Sequence, residues 1–338
     1  MNNKYNLLCF GISLVSLFGC EKILMKPSPK TDNVSIFEEY WKIVDEKFSM
    51  FNDPNKKIDK ENLYKTNRAL VDNSISKDSL FSVLGYVVTA LKDGHSYIVN
   101  EDETRYKGYI NIEGKNNLSQ SVVNENYFTK ASKTEGKVLK YEILKDINIG
   151  FIECRSFNEE INDDMMDAVL SDLKNTKGII LDVRGNIGGF TDSSVTMARH
   201  FTATKVHVGY ENFKTGPKPN DLSRSEIYLK PTDGVPYLKP LMVLMDRDCF
   251  SATSTLISHL NPLVNVTFVG AKTSGGSGYP ADGFLANGWY WSLSVSEFID
   301  WEGRRLDNGF EPDIPVDLDD NFPEKDEIIE RAIAEILK

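Results

Sequence analysis

The 338 residues are 41% hydrophobic and 26% charged, an ordinary globular balance, and the chain is long enough for two domains or one large one with an attachment. A formal net charge of −11, with no clustered Lys and Arg, argues against nucleic acid as a partner.

The first twenty residues read as a targeting segment. Lys4 supplies a positive start, and the apolar run from Leu7 to Phe18 is short for a membrane span. Ser16-Leu17-Phe18-Gly19-Cys20 resembles a bacterial lipobox, which makes Cys20 the lipidated first residue of the mature chain. The expectation is a protein of the cell envelope, periplasmic or outer-membrane-associated, attached to the membrane by lipid on Cys20. Residues 21–34 follow as a flexible tether.

Residues 36–96 read as an N-terminal helical domain. Phe37, Tyr40, Trp41, Ile43 and Val44 recur at helical spacing, and two more helices are predicted over 61–72 and 77–92, the latter striped by Leu80, Leu84, Val87 and Leu91. That helix runs into Asp93-Gly94-His95. Residues 97–338 read as one core domain, polar and strand-like to about 145 and then alternating. Strands are expected at Ile147–Cys154, Gly178–Val183, Leu241–Met245 and Val266–Val269, with helices over 160–175, 192–203 and 251–261 between them. A single two-faced strand is expected over 288–298 and a closing helix over 324–337. Short apolar strands alternating with helices indicate an α/β core with parallel pairing. Cys154 and Cys249 look like small buried hydrophobes, whether or not they pair.

Three segments carry candidate chemistry. Ser251 follows a buried strand and starts a helix, which would expose its hydroxyl at the positive end of the helix dipole. On its own a serine there is most often a cap. His95 sits in a glycine-hinged loop, and imidazole is the side chain best suited to proton transfer near neutral pH; His200, His207 and His259 have no such loop and look structural. Gly185-Asn186-Ile187-Gly188-Gly189 is a glycine-rich turn after a buried strand, able to present backbone N–H groups. It has neither the Gly-Lys-Ser/Thr ending of a phosphate loop nor GxGxxG spacing. Asp182 and Arg184 read as a pair holding the turn. The histidines lack metal-ligand spacing, and Asp313, Asp317, Asp319 and Asp320 lack a calcium-loop pattern, so no metal and no cofactor is expected.

Together these blocks resemble the C-terminal-processing (tail-specific) serine peptidases, in particular their tricorn-like branch. Asp182 to Gly189 is similar to the family's Asp-Leu-Arg-x-Asn-x-Gly-Gly turn, Phe250-Ser251-Ala252-Thr253-Ser254 to its nucleophile segment, Val269 to Gly276 to its Val-Gly-x-x-Thr-x-Gly stretch, and Gly309 to Ile314 to its closing motif. The resemblance implies a ClpP/crotonase-like core of strand–helix units and peptidase activity on proteins or peptides. It implies Ser251 as nucleophile, with Ala252 and Gly188 or Gly189 forming an oxyanion hole. The lysine that activates the serine in the tail-specific branch is absent: its position is Gly276, and Lys272 is a poor substitute. His95 stands where the tricorn-like branch has its histidine, so the resemblance selects Ser-His chemistry. An acid near the closing motif should orient the histidine. Asp307 fits best, with Glu302 and Glu311 as alternatives. The runner-up is a non-catalytic carrier on the same fold, with Trp289, Trp291 and Trp301 lining an apolar pocket. The peptide-binding PDZ insert is not evident.

Overall fold

The computed structural model describes residues 29–108, 117–144, 146–318 and 325–338. The expected signal segment with Cys20, most of the tether, and Asp319 and Asp320 lie outside the described residues. Among the described residues no helix is long and apolar enough to cross a membrane.

Three N-terminal helices, α1 (Asn33–Lys47), α2 (Lys60–Arg68) and α3 (Lys77–Ala90), each start on a side chain that accepts a backbone N–H of the first turn: Asp32, Asp59 and Ser76. Their apolar stripes do not close on one another alone. Phe37, Tyr40, Leu84 and Val87 share a core with Ile98, Trp289, Trp291 and Leu293. Ile98, Trp291 and Leu293 come from a four-stranded antiparallel sheet of β1 (Tyr97–Val99), β2 (Arg105–Lys107), β11 (Pro280–Phe284) and β12 (Tyr290–Ser294), which Trp289 directly precedes. Trp289 and Trp291 are thus core residues, while Trp301 is half exposed.

The central sheet has seven strands in the order β14-β10-β9-β6-β5-β4-β3. β5 (Ile149–Cys154), β6 (Ile179–Asp182), β9 (Leu241–Met245), β10 (Val266–Gly270) and β14 (Ile314–Pro315) run parallel. β3 (Lys133–Glu135) and β4 (Leu139–Leu144) complete it antiparallel. Because strand side chains alternate, one face gives Ile179, Leu181, Leu241 and Val243 to the largest core, and the other gives Ile180, Met242 and Leu244 to a second one. α5 (Asp163–Leu173), α6 (Thr191–Arg199) and α7 (Ala252–Leu260) cover the first face; α4 (Gln120–Asn126) and α8 (Glu327–Ile336) cover the second. Parallel strands buried on both faces are the α/β arrangement expected from the sequence.

The expected strand over 288–298 is two strands. β12 pairs with β1 and β11, whereas β13 (Ser296–Asp300) pairs with β7 (Val206–Lys214) in a separate three-stranded sheet with β8 (Leu222–Leu229). The break is Val295, whose N–H goes to Tyr279 and whose carbonyl accepts from Lys214. Cys154 and Cys249 are both buried and free. Among the described residues no cluster could hold a metal ion.

Candidate active site

β6 and β9 are parallel neighbours, with Asp182 opposite Leu244, so the turns after them emerge side by side at the C-terminal edge of the sheet. Three bonds stitch these turns together. The Gly185 N–H donates to Asp246 Oδ1 (3.0 Å), the Phe250 N–H to the Asn186 carbonyl (3.2 Å), and Thr253 Oγ1 to that same carbonyl (2.9 Å). Beneath the glycine turn, Arg184 is fully buried, bonded to Asp182 (2.7 Å) and to Asp326 at the start of α8 (2.8 Å). Burial opposes ionisation of Asp182, yet the Arg155 and Arg184 guanidiniums outweigh it and hold the carboxyl well below the usual range.

Ser251 precedes the first residue of α7 but does not cap it. Its side chain makes no capping bond, and its backbone sits at φ 57, ψ −120, where non-glycine residues are rarely found. The Ser251 N–H donates to the Gly275 carbonyl (3.0 Å), which pins the strained turn. Strain of this kind lifts a serine hydroxyl clear of the strand–turn–helix corner. The freed Oγ lies 3.0 Å from His95 Nε2. A testable consequence concerns two variants that both lack the hydroxyl. Ser251→Gly tolerates positive φ and is expected to unfold at higher denaturant than Ser251→Ala, by about 1 kcal/mol, in urea titrations.

His95 arrives from the other core. Its loop is held by a hydrogen bond from Ser292 Oγ on β12 to the His95 carbonyl (2.9 Å) and by Asp93, which accepts from the His95 N–H (3.3 Å) and from Ser96 Oγ. The ring packs against Phe250, centroid to centroid 4.7 Å. Burial pushes the imidazole below its ordinary value, opposed by the Asp93 carboxylate. Nδ1 is buried and has no hydrogen-bond partner among the described residues.

The other expected site residues sort differently. The Gly188 N–H donates to Asn186 Oδ1 (2.9 Å), whereas Gly189, the other expected donor, is not so engaged; a Cβ at Gly188 would come within 2.7 Å of the Phe250 carbonyl and 2.8 Å of Ser251 Cβ, so glycine is needed for close approach. The amides of Gly189 and Ala252 have no partner among the described residues, and Gly189 is exposed. Asp307 is buried, and its Oδ2 accepts from Lys56 Nζ (2.5 Å) and not from His95; its Oδ1 is a second buried atom without a partner among the described residues. Burial pushes this carboxyl up to about 6, with Lys56 opposing. Glu302 and Glu311 are surface groups paired with Arg304 and Lys272. Gly276, in the activating-lysine position, has φ 70, and a Cβ there would lie 2.0 Å from the Phe250 ring; no lysine fits while that ring packs on His95. Sequence reasoning passed over Asn186, Phe250 and Lys56. Asn186 lies inside the glycine motif and Phe250 beside Ser251, but neither pattern shows a hydrogen bond to Gly188 or a ring contact with His95; nothing in the local pattern marks Lys56.

The sequence matches the family model of Peptidase family S41 over residues 148–316. The chain belongs to that family of serine peptidases. The S41 chain is 26% identical over 248 residues, 72% of its length, to the carboxy-terminal processing protease CtpA of Bacillus subtilis (strain 168), and it spans about half the length of that curated relative. Among solved structures it is similar to a putative peptidase from Parabacteroides merdae ATCC 43184, at 30% identity and a TM-score of 0.84, covering 91% of this chain and 98% of that one. It shares its fold with the photosystem II D1 C-terminal processing protease, at 14% identity, a TM-score of 0.56, and coverage of 85% and 94%.

Proposed function

We propose that this S41 chain is an endopeptidase that works through an acyl-enzyme, with Ser251 as nucleophile and His95 as its base, acting on exported or envelope proteins or peptides. The observation that carries the reading is the Ser251 Oγ to His95 Nε2 distance of 3.0 Å, made by a serine that has given up its capping role.

For Nε2 to take the serine proton, the ring must carry its own proton on Nδ1. That N–H then needs a buried acceptor. Asp307 Oδ1 is one of several buried carboxylate oxygens without a partner among the described residues, and it alone belongs to the three acids near the closing motif; we assign Asp307 the orienting role, ahead of the surface groups Glu302 and Glu311. The serine attacks the scissile carbonyl, and the developing oxyanion is held by the amides of Ala252, at the helix N-terminus, and Gly189. Donors so placed lower the barrier by about 3 kcal/mol each. His95 then protonates the leaving amine, and water resolves the ester by the same path in reverse. Lipid on Cys20 would keep this activity at the membrane surface.

Incubation with internally quenched peptide libraries, beside a panel of simple esters, tests the substrate class. Peptide cleavage at internal bonds, lost in Ser251→Ala, is the expected result. Ester turnover without peptide cleavage would replace the endopeptidase reading with an esterase one.

A further inference from the structure

The two halves of the dyad come from different cores: His95 leads into β1, on the helical side, and Ser251 stands on the central sheet. A hydrogen bond of 3.0 Å between them therefore depends on how the two layers are held in register, and one buried side chain spans the gap. Lys56, in the turn between α1 and α2, is 4% exposed. Its Nζ donates to the carbonyl of Lys92 (2.5 Å), immediately ahead of Asp93-Gly94-His95, and Lys92 Nζ donates back to the Lys56 carbonyl (2.7 Å). Lys92 itself has φ 51, so the chain enters the histidine loop through a conformation that needs an external hold.

On its other side Lys56 Nζ meets Asp307 Oδ2 at 2.5 Å. Asp307 belongs to the short helix Leu306–Asn308, whose carbonyls press on Gly275: a Cβ there would lie 2.4 Å from the carbonyls of both Leu306 and Asp307. Gly275 is the residue whose carbonyl accepts the Ser251 N–H (3.0 Å) and Ser254 Oγ (2.5 Å). A second link runs in parallel, from Asn308 Nδ2 to Asp53 Oδ2 (2.9 Å), and the Asp53 carbonyl accepts the Lys56 N–H (3.1 Å). From the histidine loop to the serine turn the path is Lys92 carbonyl, Lys56 ammonium, Asp307, Gly275.

We propose that Lys56 is a positioning residue for the Ser251–His95 pair: its ammonium ties the histidine loop to the segment that pins the serine turn, and so sets their separation. The inference rests on the functional reading above. An ammonium suits the task because it carries three donors and can serve a carbonyl and a carboxylate at once, while remaining the counter-charge among Asp53, Asp93 and Asp307. A misplacement of about 1 Å at a reacting pair costs about 100-fold in rate.

The test measures kcat and KM per fluorophosphonate-titrated site for wild type, Lys56→Met, Lys56→Gln and Lys56→Arg. The expected result is a kcat lower by about 10- to 100-fold in Lys56→Met with KM within two-fold, and recovery to within about three-fold of wild type in Lys56→Arg, whose guanidinium has donors for both acceptors. Lys56→Gln, which keeps one donor and removes the charge, should fall between and serves if the methionine variant does not fold. A wild-type kcat per titrated site in the folded Met or Gln variant, with only the unfolding midpoint lowered, would reduce Lys56 to a stabilising pair and overturn the proposal. Absence of labelling in the wild type would instead remove the serine reading on which it stands.

Discussion

Replacing His95 with alanine is expected to lower kcat/KM for a cleaved peptide on the order of 10⁴-fold while leaving the unfolding transition nearly in place. The side chain is partly exposed and anchored through its backbone, with the loop held by Ser292, Asp93 and Ser96, so its removal deletes the base and little else. The pH dependence carries a sign. The neutral ring is the active form, and burial lowers its pKa from 6.5, so the acid limb of the wild-type kcat/KM profile should have its midpoint below pH 6.5. The same shift makes His95 cost stability as pH falls: below 6.5 the unfolded chain takes up the proton first, and the penalty grows until the folded ring titrates. In His95→Ala the limb should vanish with the activity. A limb at or above pH 7 would mean that a carboxylate dominates the ring, and a His95→Ala variant within ten-fold of wild type would remove it from the chemistry.

The second large effect is on the fold beneath the site. Arg184→Met leaves Asp182 and Asp326 facing each other, both almost fully buried, without the guanidinium that bonds to each. Breaking a buried charge network from one side costs about 3–5 kcal/mol, and equilibrium urea unfolding should show a loss of that size. Asp182 also sets a pH signature. Its folded pKa is depressed, so the stabilisation is fully present above its unfolded value near 3.8 and is lost as pH falls through the folded one. A loss under about 1 kcal/mol would show that the network is offset elsewhere. Because Arg184 is followed directly by the glycine turn, activity should fall together with stability, in contrast to His95→Ala.

Much of this was legible in the chain, and the reasons are specific. Apolar runs such as Leu241–Met245, buried on both faces, read as core strands because nothing polar interrupts them, and the observed bounds agree. Helices ran a residue or more long at their ends, as at Lys77–Ala90 against the expected 77–92, because the last turn is set by capping geometry that periodicity does not carry. The strand over 288–298 was misread as one because alternation persists through Val295, while pairing partners, which decide the sheet, lie at distant positions such as Asn212 and Tyr97.

At the site the split is similar. Ser251, His95 and the glycine turn announce themselves by residue type beside glycine. The local pattern alone favours Ser251 as a cap, and the distant His95 loop and glycine turn are what point to a nucleophile; the backbone strain at φ 57, with no capping bond, agrees with a freed hydroxyl. The choice of Gly189 over Gly188 depends on which amide Asn186 has already taken. Lys56 was invisible for a plainer reason: a lysine in the polar turn Asp53-Pro54-Asn55-Lys56-Lys57 looks solvated, and only the folded chain brings it under Asp307.

The central claim, that Ser251 is a nucleophile served by histidine, is tested most directly by locating a fluorophosphonate adduct by peptide-level mass spectrometry. The account predicts a single modified residue, Ser251, with labelling absent in Ser251→Ala and slowed on the order of 10³-fold or more in His95→Ala. Equal labelling of Ser251→Ala, or an adduct at another hydroxyl, would contradict it.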